Sequence, residues 1–260
     1  MFLSIVIPTY NRQPILAKCL QALEQQHFDA NTAIAGYEIV VVDDGSTDGT
    51  LDWLRAAAAA LPHVVTYVQE HGGPAGARNL GVERAQGDTI IFIDSDLVVT
   101  PCFLQAHATA LRQGAQDLGS DRLFTYGAVI NTCNFEEPTS EPYKLTDFSA
   151  AYFATGNVAI ARRWLLEAGL FDTQFQLYGW EDLELGVRLK KLGLKLIKCP
   201  EAVGVPARRY SPADRKRNSA RAHGGPVLPK TSHLGSPPDD PDDLATPSAL
   251  GPPLPRRPTQ

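Results

Sequence analysis

Short apolar bursts alternate with stretches of helical spacing through the first half of the chain. Leu3-Ser4-Ile5-Val6-Ile7 is mostly β-branched and is closed by Pro8, which predicts a buried strand ending there. After Pro14, the residues Leu16, Cys19, Leu20 and Leu23 recur at helical spacing. Glu38–Val42 reads as a second buried strand, followed by Asp43-Asp44-Gly45. Ser46-Thr47-Asp48 offers a cap for a helix running through the alanine tract 56–60. Val64–Val68 reads as a third strand, and Gly72-Gly73-Pro74 opens a helix to about Ala85, ended by Gly87. Thr89–Ile93 is a fourth buried strand, running into Asp94-Ser95-Asp96, and Pro101 begins a further helix. Beyond residue 115 the pattern loosens. Leu123–Ile130 and Gly156–Ile160 read as strands, residues 131–150 as a polar, turn-rich connection, and Leu194–Lys198 as a short final strand. Glu181–Leu192 predicts a helix with Leu185, Leu189 and Leu192 on one face.

Strand and helix thus alternate four times at a spacing of about 25–30 residues. That pattern predicts right-handed βαβ units: an α/β, Rossmann-like, doubly wound and mostly parallel sheet with helices on both faces. Ligands of such sheets sit at the carboxyl ends of the strands. Here three of those ends carry polar strings: Thr9-Tyr10-Asn11, Asp43-Asp44-Gly45 and Asp94-Ser95-Asp96. Topology alone therefore locates a candidate site.

Composition changes the picture at one place. Twelve of the 20 prolines fall in residues 204–260, which contain no Ile, Phe, Trp or Cys and one aromatic residue, Tyr210. A segment so poor in large apolar side chains cannot offset its chain entropy, so 204–260 is expected to be a disordered tail behind a domain spanning 1–203. Cutting the chain after residue 203 is then expected to leave the melting temperature nearly unchanged. The tail holds 9 Lys+Arg and 5 Asp+Glu, leaving 15 − 24 = −9 for the domain and −5 for the whole chain. An acidic domain excludes nucleic-acid binding through a globally basic surface. No window of 18 apolar residues predicts a membrane span, and the N-terminus has no signal-peptide zones. Cys19, Cys102, Cys133 and Cys199 form no CxxC pair, so neither a zinc site nor a disulfide framework is predicted. The expected location is cytoplasmic, free or peripheral at the inner face of the membrane.

The candidate chemistry lies in five strings. Asp94 and Asp96, two residues apart at a strand end, can share a hard cation such as Mg²⁺ or Mn²⁺, a nucleotide diphosphate supplying the other ligands. Alone, Asp-x-Asp more often marks a turn or cap; its position at a strand end facing a second acidic loop favours the site. Asp43-Asp44 can accept hydrogen bonds from a base or ribose, or cap the next helix with Ser46 and Asp48. Tyr10 can pack against a base, or be a plain surface tyrosine. The helix start Gly72–Asn79 can take phosphate on its amides with Arg78 adding charge, or serve close packing. In Gly179-Trp180-Glu181-Asp182 the carboxylates can answer the helix dipole, or one can act as a general base.

Taken in order, six strings resemble glycosyltransferase family 2, the inverting nucleotide-sugar transferases of GT-A fold. They are Ile7–Arg12, Val41–Thr50, Gly73–Asn79, Phe92–Asp96, Thr155-Gly156-Asn157 and Gly179-Trp180-Glu181-Asp182. The resemblance implies that Pro8, Tyr10, Asp44 and Arg78 line the nucleotide pocket. It implies that Asp94 and Asp96 serve ribose, diphosphate and Mg²⁺ or Mn²⁺, that Asp182 is the catalytic base, and that Trp180 and Glu181 lie beside the acceptor. The implied partners are a UDP- or GDP-type sugar donor and a glycan or lipid-linked acceptor, as in polysaccharide biosynthesis. One departure stands out. Family members often carry a metal-binding histidine and acceptor-side helices after the last strand, whereas here the chain runs into the Pro/Arg tail and His223 is the first histidine reached. The tail has the bias of a GC-rich gene read out of frame, so a truncated or frameshifted C-terminus is expected. The alternative reading is a catalytically impaired nucleotide-sugar-binding relative. A dinucleotide oxidoreductase is disfavoured, because the first strand leads into Pro-Thr-Tyr-Asn and not into glycines.

Overall fold

A computed structural model describes residues 1–30, 32–130, 151–175 and 180–207. The strands are β1 (Phe2–Thr9), β2 (Gly36–Asp43), β3 (Val64–Val68), β4 (Thr89–Ile93), β5 (Leu97–Val99), β6 (Leu123–Val129), β7 (Asn157–Ala161) and β8 (Lys195–Pro206). The helices are α1 (Gln13–Glu24), α2 (Thr50–Ala57), α3 (Pro74–Arg84), α4 (Phe103–Leu118), α5 (Arg162–Ala168) and α6 (Trp180–Lys191). The chain divides into a unit of Met1–Arg209 and a unit of Tyr210–Gln260. The second unit, the connection 131–150 and Gly179 lie outside the described residues.

One eight-stranded sheet has the order β3-β2-β1-β4-β7-β6-β8-β5. The expected α/β class with helices on both faces is what the structure has. β3, β2, β1 and β4 are parallel neighbours, and β6 pairs parallel with β8. β7 runs antiparallel to both β4 and β6, and β5 runs antiparallel to β8.

The continuous apolar runs follow from burial on both faces. Along β1, Ile5 and Ile7 pack with Leu16, Leu20 and Leu23 of α1 and Phe103 of α4. Val6 packs into the other core, with Val82 of α3 and Leu185 and Leu189 of α6. Ile5, Val6 and Ile7 are fully buried, each contributing roughly 1.5–3 kcal/mol of apolar burial.

Three boundaries differ from the sequence expectation. β1 does not stop at Pro8 but continues to Thr9. The Thr9 carbonyl accepts from the Asp44 amide on the β2 side, so residue 8 faces β4. Pairing with β4 has already ended at Val6↔Phe92, and the missing amide of Pro8 leaves no ladder bond unmade. The helix of the alanine tract ends at Ala57 and tightens into a 3₁₀ turn, Ala58–Ala60. Most consequentially, the boundary read at residue 203 falls inside β8, which continues to Pro206. Val99↔Gly204, Val98↔Val205 and Leu97↔Pro206 pair β5 with this extension. A Cβ on Gly204 would stand 2.4 Å from Leu97 Cδ2, so only glycine lets Leu97 lie flat on the strand.

Candidate active site

The carboxyl ends of β1 and β2 are tied together by their loops. Asn11 takes a left-handed conformation (φ 52°), which its short polar side chain tolerates. Its amide donates to Ser46 Oγ (2.9 Å), and its Oδ1 accepts from the Thr47 amide (2.7 Å). The Asp44 carboxylate is buried and engages the loop before α3. It accepts from Gln69 Nε2 (2.6 Å) and from the amides of Gly72 and Gly73 (2.9 Å each), and pairs with His71 Nδ1 (2.9 Å). The Gly72 and Gly73 amides, expected as phosphate donors, thus point at Asp44. Tyr10 is 41% exposed and stacks on His71, with ring centroids 4.1 Å apart and planes at 22°. Pro8, two residues before Tyr10 in the chain, pairs with Val42.

At the end of β4 the chain turns sharply, the Leu97 amide donating to the Asp94 carbonyl (3.0 Å), so that Asp94 and Asp96 flank one bend. The Asp96 carboxylate is nearly buried and accepts from Arg12 at 3.1 Å. The Asp94 side chain keeps 33% of its surface exposed. Its pKa is nevertheless raised: the surrounding protein strips away bulk water, Arg78 and Arg12 oppose the rise, and Asp96 and Asp182 add to it.

Arg78 reaches this bend from α3. Its guanidinium is 3% exposed and sits over the Phe171 ring at 5.7 Å. It lies 3.0 Å from Glu181 Oε1, 3.6 Å from Asp94 Oδ1 and 3.8 Å from Asp182 Oδ1. Glu181 and Asp182 occupy the first turn of α6, behind a half-buried Trp180. The helix dipole favours both carboxylates there, but Glu181 Oε2 is buried with no hydrogen-bond partner among the described residues. Burial raises the Asp182 pKa; Arg78 and the Thr155 amide pull it down, Glu181 pushes it up, and the Thr155 hydroxyl pulls it down.

The fold therefore brings Asp94, Asp96, Arg78, Glu181 and Asp182 into one cluster, with Pro8 at the end of β1 and Tyr10 and Asp44 on the adjoining loops. Among the described residues, four carboxylates meet two guanidinium groups, Arg12 and Arg78. Asp94 and Asp96, flanking one bend, could hold a divalent cation. Among the described residues no group of three or more His, Cys, Asp or Glu gathers as a complete protein cage. Mg²⁺ and Mn²⁺ take carboxylate oxygens together with phosphate oxygens and water. Sequence reasoning gave no role to Arg12, His71 and Thr155, because hydropathy periodicity carries no signal for a partner that is remote in sequence.

Residues 4–168 match the family model described as glycosyl transferase family 2. This is more than half of the 260 residues, and the chain belongs to that family. It is 28% identical over 244 residues to the glycosyltransferase YfnE of Bacillus subtilis, covering 74% of this chain and 61% of that one. Across the first three curated relatives it spans 61%, 36% and 55% of their own lengths. Two solved structures share the fold. S. aureus TarS 1-349 in complex with UDP-GlcNAc has a TM-score of 0.60 at 22% identity, covering 81% of this chain and 60% of that chain. The mannosyltransferase PcManGT of Pyrobaculum calidifontis, in complex with GDP-Man and Mn²⁺, has a TM-score of 0.59 at 23% identity, covering 85% and 60%.

Proposed function

We propose that the chain transfers a sugar from a UDP- or GDP-type nucleotide diphosphate donor to a hydroxyl of a glycan or lipid-linked acceptor, with inversion at the anomeric carbon. The observation that carries the reading is the Arg78 cluster, in which one guanidinium holds Asp94, on the proposed metal side, close to Asp182, the proposed base. Family membership supports sugar transfer, and the UDP-GlcNAc, GDP-Man and Mn²⁺ of the two fold neighbours support the donor class and the metal.

Tyr10 offers its exposed ring to the base, and Pro8 and Asp44 shape the floor beneath it. Asp94 and Asp96 would hold Mg²⁺ or Mn²⁺, which when bound offsets charge on the departing diphosphate. Asp182 takes the proton of the acceptor hydroxyl as that oxygen attacks the anomeric carbon. Burial helps it do so, because a carboxylate with a raised pKa is a stronger base. Trp180 borders the same end of α6 and faces the acceptor, and Glu181 keeps Arg78 in place between the two sides.

Titration calorimetry with UDP and with GDP tests the donor side. Binding is expected to strengthen with Mn²⁺ and to lose that dependence in Asp96→Ala; binding indifferent to both removes Asp96 from the metal role. On the chemical side, Asp182→Asn is expected to keep the fold and donor binding while lowering transfer by about two to four orders of magnitude. Near-normal turnover would move the base elsewhere, Glu181 first.

A further inference from the structure

Thr155 is 1% exposed and lies two residues before β7, facing the first turn of α6. Its amide donates to Asp182 Oδ2 at 2.9 Å, and its hydroxyl lies 3.1 Å from Oδ1 and 2.9 Å from Oδ2. Among the described residues, the hydrogen bonds on this carboxylate all come from Thr155. The charged groups around it are Arg78 from α3, Glu181 from α6 and Asp94 at the end of β4. The Arg78 nitrogen nearest Asp182 stands at 3.8 Å, too far to fix the plane of the carboxylate. Two donors on one residue do fix it.

The segment that carries Thr155 is itself held from the core. Asn157, the first residue of β7, donates from Nδ2 to the Ala128 carbonyl (3.0 Å) and to the Ala202 carbonyl (2.9 Å). Both amide protons are thereby used, so Asn157 Oδ1 accepts from His107 Nε2 (2.8 Å), and His107 Nδ1 accepts from the Thr125 hydroxyl (2.8 Å). Gly127 makes room for this anchor, since a Cβ there would fall 2.4 Å from Asn157 Nδ2. Between the two, Gly156 runs past Asp94, its ideal Cβ position 3.7 Å from Oδ2. Three consecutive residues thus join the packed core to the carboxylate at the end of β4 and to the one at the start of α6.

We propose that Thr155 is the positioning residue for Asp182, setting the plane and direction of its carboxylate; this rests on the reading of Asp182 as the general base. The hydroxyl matters as well as the amide, because the amide alone reaches one oxygen and leaves the carboxylate free to rotate.

The test uses the full chain. Thr155→Val removes the hydroxyl and keeps shape and amide; Thr155→Ser keeps the hydroxyl. Nucleotide release is measured with UDP-GlcNAc and GDP-mannose in Mn²⁺. Thr155→Val is expected to lower kcat about ten- to a hundredfold with donor KM unchanged, less than the loss of the base itself. Thr155→Ser is expected to restore kcat to within about threefold, whereas a merely structural threonine would move KM and the melting temperature in both variants. Turnover of Thr155→Val within about twofold of wild type, alongside an inactive Asp182→Asn, overturns the positioning role alone. An active Asp182→Asn overturns the base and this role together. A crystal structure of Thr155→Val gives a readout independent of turnover: a rotated Asp182 carboxylate supports the proposal, and an unmoved one overturns it.

Discussion

The two sides of the sheet obey different rules. On one side, β3, β2, β1 and β4 are parallel, and β2, β3 and β4 are each reached through a crossover helix from the strand before it in the chain. On the other, β7, β6, β8 and β5 change direction and pair residues far apart in the chain, such as Leu97 with Pro206 and Val129 with Gly204. A right-handed βαβ unit needs only local periodicity to declare itself. A strand paired to one a hundred residues away declares nothing locally. The candidate site lies on the seam: Tyr10, Arg12, Asp44, Asp94 and Asp96 come from the parallel side, Thr155, Glu181 and Asp182 from the mixed side. Arg78 crosses from one to the other.

Breaking the seam should have the largest effect on stability. Arg78→Met leaves Glu181 buried without its cation, a loss of about 3–5 kcal/mol. Denaturant melts of the purified variant read this directly, and a loss below about 1 kcal/mol would mean that Glu181 finds another partner or a proton.

The mixed side should also respond to acid. Burial holds the His107 pKa down at about 4, against 6.5 for the free side chain, and the Asn157 bond opposes this. The unfolded chain therefore takes up a proton below 6.5 that the folded chain refuses until about 4. Stability is full above pH 6.5 and falls on acidification through that window, by roughly 3 kcal/mol at its lower end. Thermal melts between pH 7 and 4.5 should show that slope, and His107→Gln should flatten it even though the variant starts less stable.

The end of β8 gives a sharper comparison of two chains. A chain ending at residue 203 loses the β5 ladder and the burial of Val205, whereas one ending at residue 207 keeps both. The shorter chain is expected to melt about 5 °C or more below the longer, the shift of roughly 2 kcal/mol. Equal melting temperatures would mean that β5 and β8 do not support each other.

The smallest effect belongs to the rim of the parallel side. His63 and Glu24 pair at 2.6 Å beside Tyr37, but the His63 side chain is 40% exposed. A double-mutant cycle on this pair is expected to return under about 1 kcal/mol.

By itself the chain determined the parallel side. Runs such as Glu38–Val42 and Thr89–Ile93 are buried on both faces, so their composition marks them as strands wherever they pair, and the polar strings after them mark the site. It also determined the identity of Asp94, Asp96 and Asp182 as candidates, through short strings whose order resembles a family. Tertiary structure decided the rest. The three-residue β5 is too short to have a period and exists because β8 runs alongside it. The end of the domain moved past residue 203 because Ala202, Val203 and Val205 are buried by partners from β5 and β6, while the prolines around them read locally as tail. Packing holds Arg78 among the carboxylates of Asp94, Glu181 and Asp182, and Thr155 acquired its contact with Asp182 across 27 residues of chain. A hydrogen bond selects its partner by distance in space, and that distance is set only when the core has packed.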